Sequence, residues 1–388
     1  MFKIIGMTKL IWKLFKIVLT LLLAFLMYVV IGGVVPFLHH PDVSQTKKEA
    51  VESTQFYSDS AGPDRATIIE DNEEALKMRL RVIKDAKKTL ILSTFDFRSD
   101  DAGKDVLAAL LNAADRGVKV EIFADGFNSI IQMENNDYFY ALSSNKNIKI
   151  IIYNQVNILI PWNGLGRMHD KYVIADDSLY ILGGRNTFGY FLGDYAGHKN
   201  YDRDVLVYNT GSKDSSIYQI KDYYKKITSQ KCCSVFHYNE SLGEKNSVKK
   251  AEQELKNRYE SLENKYDKFL AENYDYKANT YETNKINLLS NPTSLYTKQP
   301  TVYYGLMYLA KNAKKEVKIH TPYIICNDYM YNELKNIKVP TTIMTNSAEN
   351  NGNIFGAVDY LNHKKDIINT GVTIKEYEGG ISYHGKSM

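Results

Sequence analysis

The chain has 388 residues, too many for one ordinary hydrophobic core and suited to two globular units plus an extra segment. Hydrophobic residues make up 44% and charged residues 24%, the proportions of a folded protein, which excludes wholesale disorder. A net charge of +4 from 49 basic and 45 acidic residues speaks against a dedicated nucleic-acid binder, so no nucleic-acid partner is expected. The three cysteines, Cys232, Cys233 and Cys326, lack the C-x-x-C spacing of metal or redox sites and read as ordinary thiols.

Residues 1–40 read as a cytoplasmic tail and a transmembrane anchor. Ile17 to Leu38 carry no charge, and at ~1.5 Å per residue such a run spans the ~30 Å hydrocarbon layer. Lys3, Lys9, Lys13 and Lys16 precede it, whereas His39, His40, Pro41 and Asp42 follow. The positive-inside rule then keeps the amino end in the cytoplasm and places the rest of a single-pass protein outside, although Lys47 and Lys48 weaken the asymmetry. Residues 41–66, polar and unpatterned from Val43 to Pro63, read as a tether.

A first unit is expected over residues 67–230. Ala75 to Lys87 has helical spacing, with Leu76, Leu80 and Ile83 on one face, and Thr89 to Thr94 is a β-rich run. Gly103 to Arg116 is again helical, with Gly117 as its stop and a strand in V-K-V-E-I-F-A-D-G after it; Ile148 to Tyr153 is a third strand. Residues 231–284 read as a connecting segment whose charged stretch from Asn246 to Tyr281 lacks a broad apolar face, predicting a mostly solvated helix between lobes. In residues 285–388 the alternation resumes, with strands at Ile286–Leu289, Val317–Ile319 and Thr341–Met344 and a helix over Val302–Ala313. The fold class is therefore α/β, in two related lobes behind the anchor, with T-F-D-F-R-S-D-D and T-P-Y-I-I-C-N-D as equivalent rims.

The chemistry concentrates in M-H-D-K-Y-V-I-A-D-D-S-L-Y-I-L-G-G-R-N. If His169 to Ala175 is a strand, His169 and Lys171 share one face. Asp176, Asp177 and Ser178 then form a turn, and Leu179 to Leu182 returns to Gly183 and Gly184, where missing side chains let a ligand approach. Asn186 emerges beside the pair.

His169, Lys171, Asp176, Gly183, Gly184 and Asn186 fit the spacing H-x-K-x4-D-x6-G-G-x-N, and the chain resembles the phospholipase D superfamily. Six fixed positions at set spacing recur by chance on the order of once in tens of millions of starts. The first-lobe stretch from Leu92 to Gly126 and the second-lobe stretches I-N-L-L-S-N-P and V-K-I-H-T-P-Y-I-I-C-N-D resemble bacterial cardiolipin synthases. G-G-R-N followed by Tyr190-Phe191 and then Y-D-R-D-V-L-V looks most like the C type. Many relatives have Gly-Ser where this chain has Gly183-Gly184, so a hydroxyl near the phosphate is missing.

The resemblance implies two phospholipase D-like αβα lobes and a membrane-anchored phosphatidyltransferase, cardiolipin synthase-like, acting on phospholipids. A lipid hydrolase, or a non-catalytic relative that binds headgroups, are the alternatives. It implies His169 as the nucleophile that forms a phosphohistidine and His384, in S-Y-H-G-K-S-M, as acid and base, although the reverse assignment stays open. Lys171, Lys386 and Asn186 would clamp the phosphate oxygens, with no metal or other cofactor required. Asp204, with Asp202 as fallback, would fix the nucleophile's tautomer. Only the opening of a second motif is present, in His384 and Lys386, so the second lobe is expected to be truncated and its H-x-K strand to lack the hairpin that holds it in register.

Overall fold

A computed structural model of the protein describes residues 2–237, 240–270 and 274–388. Its first element, α1 (Phe2–Val34), is one uninterrupted helix, and the stretch Leu10–Phe37 is long and apolar enough to cross a membrane. Most of its large apolar side chains from Leu10 onward are exposed. A second helix, α2 (Gln45–Glu52), lies inside the stretch that reads in sequence as an unpatterned tether. Val51, with Val43 ahead of it, packs against Tyr304, so this stretch is docked on the C-terminal half rather than free. One buried valine in a short polar helix leaves no apolar stripe to read.

The first half supplies β1 (Asp64–Ile69), α3 (Asn72–Asp85), β2 (Thr89–Thr94), α4 (Asp101–Asp115), β3 (Lys119–Asp125), α5 (Gly126–Gln132), α6 (Asp137–Ser144) and β4 (Ile148–Tyr153). After them come β5 (Tyr172–Ala175), β6 (Leu179–Gly183), β7 (Asn200–Tyr201), β8 (Asp204–Asn209), α7 (Ile217–Thr228) and β9 (Cys233–Val235). The connecting segment adds α8 (Glu240–Gly243), α9 (Asn246–Lys265) and β10 (Tyr281–Glu282). The main sheet has the order β10-β1-β8-β6-β5-β2-β3-β4-β9. Within it β2, β3 and β4 are parallel, while β5 runs antiparallel to β2 with Ser93 opposite Tyr172. The start of β5 therefore lies at the C-terminal edge of the parallel strands, where short connections present side chains to a ligand.

Helices start where an aspartate can accept from a free backbone N–H: Asp71 caps α3 through Glu74 at 2.9 Å, and Asp100 caps α4 through Gly103 at 2.9 Å. One face of the sheet is buried with α3, α4 and α6, the other with α7. The helix α9 differs from the expected solvated connector, because Val248, Leu255, Tyr259 and Leu262 are buried in the first-half core beside α4 and α6, and Ala251 is buried with them. Their spacing of three and four residues is a narrow seam, easily hidden among charges.

The second half continues with α10 (Thr301–Lys311), β11 (Val317–His320), α11 (Asp328–Lys335), β12 (Thr341–Asn346), α12 (Ile354–Ile368), β13 (Thr373–Tyr377) and β14 (Ser382–Tyr383). A parallel sheet of order β11-β12-β13 forms around Met307, Val317, Ile343, Tyr360 and Ile367. The strand expected at Ile286–Leu289 is absent: Ile286 and Leu288 pack on the α7 side of the main sheet, and the Leu288 N–H donates to the Gln219 side chain at 2.8 Å. The last strand leaves its own half: β14 pairs in parallel with β7, Ser382 opposite Asn200 and Tyr383 opposite Tyr201.

Candidate active site

Regular strand begins only at Tyr172, so His169 and Lys171 lie on the approach to β5 rather than inside the strand expected from His169. They still act as a pair, because the Lys171 ammonium donates to the His169 carbonyl at 2.8 Å and lies 2.9 Å from its Nδ1. The second H-x-K repeats the contact: Lys386 Nζ donates to the His384 carbonyl at 2.8 Å. Each histidine also meets a phenylalanine, Phe95 at 4.5 Å from His169 and Phe191 at 5.2 Å from His384, ring centre to ring centre. His169, Lys171 and Lys386 line one cavity of about 880 Å³.

The first half holds this second motif in place. The β7–β14 pairing puts His384 beside Asp202, its backbone N–H donates to the Tyr201 carbonyl at 2.6 Å, and its Nδ1 is 2.7 Å from Asp202 Oδ2. Arg203 donates to Ser387 Oγ at 2.9 Å, and Ser387 exchanges backbone hydrogen bonds with His320 at 2.8 and 3.0 Å. The carboxylate assignment is corrected accordingly. Asp204, expected behind the nucleophile, is fully buried between Arg79 at 2.9 Å and Arg185 at 3.1 Å and bonds to no histidine among the described residues. The fallback, Asp202, orients a histidine, but that histidine is His384.

Asp176 also stands apart from the reacting groups. Its carboxylate accepts the backbone N–H groups of Lys87, Lys88 and Thr89, each at 2.8 Å, and so fastens the entry of β2 to the β5–β6 turn. The two glycines line the same cavity as His169, Lys171 and Lys386, and close packing also requires them. A side chain at Gly183 would collide with Asp204, and one at Gly184 with Asp202. Asn186 accepts from the Asp96 N–H at 3.2 Å through Oδ1, leaving its amide N–H groups without a hydrogen bond among the described residues. Sequence reasoning passed over Arg185, the variable position of G-G-x-N. Fully buried, it donates to the carbonyls of Ile69 at 3.1 Å, Phe191 at 3.2 Å and Asp202 at 2.6 Å as well as to Asp204, and thereby fixes the loop that carries Asp202. A cation between a glycine pair and an asparagine was the available signal.

Burial and crowding of positive charge set the protonation states. Burial, reinforced by Lys171, Lys386 and His384, lowers His169 to about 2, so it is neutral at any physiological pH. Burial, with Lys386, lowers Lys171 to about 7 against the opposing pull of Asp170, Asp202 and Asp96. Lys386 retains solvent contact but is still lowered to about 8, opposed by Asp202. Burial also lowers His384, with the Asp202 hydrogen bond as its main counterweight. For Asp202 the balance reverses: burial would raise it, but the His384 hydrogen bond and the charges of His384 and Lys386 hold it below its ordinary value. Among the described residues no three His, Cys, Asp or Glu side chains converge to hold a metal ion. The arrangement joins a neutral histidine, a histidine on a carboxylate, two amines and an amide, which suits attack on a phosphodiester.

Comparison with known proteins agrees. Residues 80–227 match the family described as "Cardiolipin synthase, PLD-like domain". An uncharacterized protein of Helicobacter pylori is 26% identical over 338 residues, covering 80% of this chain and 65% of that protein. Cardiolipin synthase B of Salmonella typhi is 31% identical over 142 residues, covering 36% of this chain and 34% of that protein. The chain thus spans less than two thirds of the length of either relative. The crystal structure of phosphatidylserine synthase from Haemophilus influenzae Rd KW20 shares the fold, with a TM-score of 0.55 over 88% of this chain and 79% of that chain at 15% identity. Residues 80–227 therefore resemble the phospholipase D-like domain of cardiolipin synthases, and the fold of the chain is that of the phosphatidylserine synthase structure.

Proposed function

We propose that this protein is a membrane-anchored phosphatidyltransferase of the cardiolipin synthase kind, working through a phosphohistidine on His169. One observation carries this: two H-x-K segments from distant parts of the chain converge, each lysine 2.8 Å from its own histidine's carbonyl. His169 attacks phosphorus through Nε2, and the departing alkoxide takes a proton from His384. The incoming alcohol then returns a proton to His384 as its oxygen displaces His169 from phosphorus. Lys171, Lys386 and the free amide of Asn186 stabilise the non-bridging oxygens. A neutral His169 fits the nucleophile, and a His384 whose charged form is supported by Asp202 fits the acid. Attack through Nε2 needs the single ring proton on Nδ1, from which the Lys171 nitrogen, 2.9 Å away, accepts a hydrogen bond in its uncharged form while its own N–H groups still donate to the phosphate. Helix α1 is the anchor, with the catalytic part outside the cytoplasm.

A second assignment has one observation in its favour: Asp202 also fixes His384 with the proton on Nδ1 and Nε2 free, the arrangement of a nucleophile. Expression of the full chain in a cardiolipin-free bacterium tests the activity. New cardiolipin supports transfer, phosphatidic acid without cardiolipin indicates a hydrolase, and unchanged lipids sink both. With a substrate whose leaving group needs no proton, His169→Asn should be inactive and His384→Asn should still form the covalent adduct; the opposite pattern reverses the roles.

A further inference from the structure

Between β4 and the His169 segment the chain runs through residues 155–166, Q-V-N-I-L-I-P-W-N-G-L-G, on the same sheet edge as the site. Ile158 (58% exposed), Leu159 (65%), Trp162 (40%) and Leu165 (56%) project outward. Such a cluster of aliphatic side chains around one tryptophan is a costly surface in water and suits the headgroup boundary of a bilayer. Its base is tied to the site. Asn154 donates to the carbonyls of Asn163 at 2.8 Å and Gly166 at 2.7 Å, and Arg167 donates to the Asn154 carbonyl at 2.7 Å. The Met168 N–H, one residue before His169, donates to Asp125 at 2.9 Å.

The loop is also seated on α1. Tyr28 donates its hydroxyl proton to the Leu159 carbonyl at 2.9 Å, and Gly32 faces Pro161 so closely that a Cβ would lie 2.6 Å from its ring. Phe37 meets Tyr296 at 6.4 Å, and Tyr296 donates to Asn163 at 3.2 Å. Tyr28 and Gly32 belong to the membrane-crossing stretch, at most about 13 Å along the helix from its end at Phe37. Whatever bilayer holds α1 must reach a loop packed against it. The backbone is prepared for that. The N–H groups of Leu159, Ile160, Asn163, Gly164 and Gly166 all donate within the loop, and Pro161 has none. For those five groups internal bonds lower the cost that irregular backbone meets in contact with lipid. On α5, which leaves the neighbouring strand β3, Phe127, Ile130 and Ile131 extend the exposed apolar edge.

Resting on the lipid reading above, we propose that residues 155–166 form a finger inserted in the leaflet at the C-terminal end of α1, holding the rim of the His169 site at headgroup depth. The occupant of this surface is the bilayer itself, and a phosphodiester reaches the cavity laterally. The wall of the cavity supports this, since Asn291, Pro292, Thr293 and Lys298 line it beside Tyr296.

Trp12 and Trp162 are the only tryptophans, so each can report alone. Trp12→Phe in vesicles should leave a Trp162 emission quenched by lipids bearing a nitroxide high on the acyl chain and shielded from acrylamide in water. Quenching by acrylamide without lipid quenching overturns the proposal, and shielding from both, as in a contact with a second protein chain, overturns it too. Trp162→Phe reports on α1 through Trp12, so a failed anchor is recognised separately from a failed finger. In activity, Leu159→Ser with Trp162→Ser and Leu165→Ser should lower turnover of vesicle phospholipid about tenfold or more while sparing a short-chain phospholipid in solution. Equal turnover of vesicle lipid by variant and parent overturns the finger and leaves the lipid activity standing. If the parent turns over neither substrate, the enzymatic reading fails, and the quenching still decides the finger.

Discussion

His384 Nδ1 lies 2.7 Å from Asp202 Oδ2 across a separation of 182 residues, and this contact joins the two halves of the site. Asp202 is fully buried at its side chain, whereas the His384 ring stays partly exposed. A buried carboxylate behind a histidine fixes its tautomer and supports its charged form. Asp202→Asn keeps the shape and removes the charge. Turnover should fall on the order of 10²- to 10⁴-fold with circular dichroism unchanged. Burial would then act on His384 with less opposition, so the pH below which it carries a proton should move lower. An unaltered rate and pH profile would show that Asp202 has no part in the chemistry.

Asp204 gives the contrasting result. Its carboxylate is the only acidic side chain bonded to both Arg79 and Arg185 among the described residues, and all three are buried. Asp204→Asn takes from two buried guanidinium groups the carboxylate that bonds both, a loss of about 3–5 kcal/mol. The melting temperature should drop on the order of 10 °C, while the protein that remains folded at low temperature keeps most of its turnover. A stable Asp204→Asn protein would place the arginine charges elsewhere.

The two amines give the site a pH signature readable without turnover. Burial lowers Lys171 to about 7 and Lys386 to about 8, so both are charged in mildly acidic solution and neutral in mildly basic solution. His169, lowered to about 2, does not titrate in this interval. Sulfate keeps its charge throughout, so its affinity follows the lysines. It should be greatest at and below about pH 6.5 and fall about tenfold or more by about pH 9. Calorimetric titration at several pH values checks this, and constant affinity would mean that the lysines do not contact the anion.

Much of this site is legible in the sequence because its parts are local. His169 with Lys171, Gly183 with Gly184, and His384 with Lys386 are short-range spacings. The alternation of apolar runs with amphipathic helices likewise reveals the α/β class. What stays hidden depends on long-range pairing. Asp202 and Asp204 are two residues apart, and only the β7–β14 pairing gives His384 to the former while the buried arginines claim the latter. Two residues per strand leave no periodic trace. The docking of α2 is hidden for a related reason, since its partner Tyr304 is more than half the chain away.

Asp176 belongs to the motif, yet its three backbone partners assign it to the scaffold. It adopts a left-handed backbone with φ of 52°, which an aspartate or asparagine tolerates better than most residues. Asp176→Asn keeps that tolerance and one acceptor oxygen, but the second oxygen becomes an amide that cannot accept from the N–H groups facing it. Leaving one or two of those donors without a partner should cost about 1–3 kcal/mol, seen as a lower denaturant midpoint. The consequence for catalysis is indirect, because the β5–β6 turn lies at the far end of the strands from His169 and Lys171. Turnover per folded molecule should therefore stay within about threefold of the parent, and Asp176→Ala should be less stable and similarly active when folded. A large loss of turnover at full stability in Asp176→Asn would return this residue to the reacting groups.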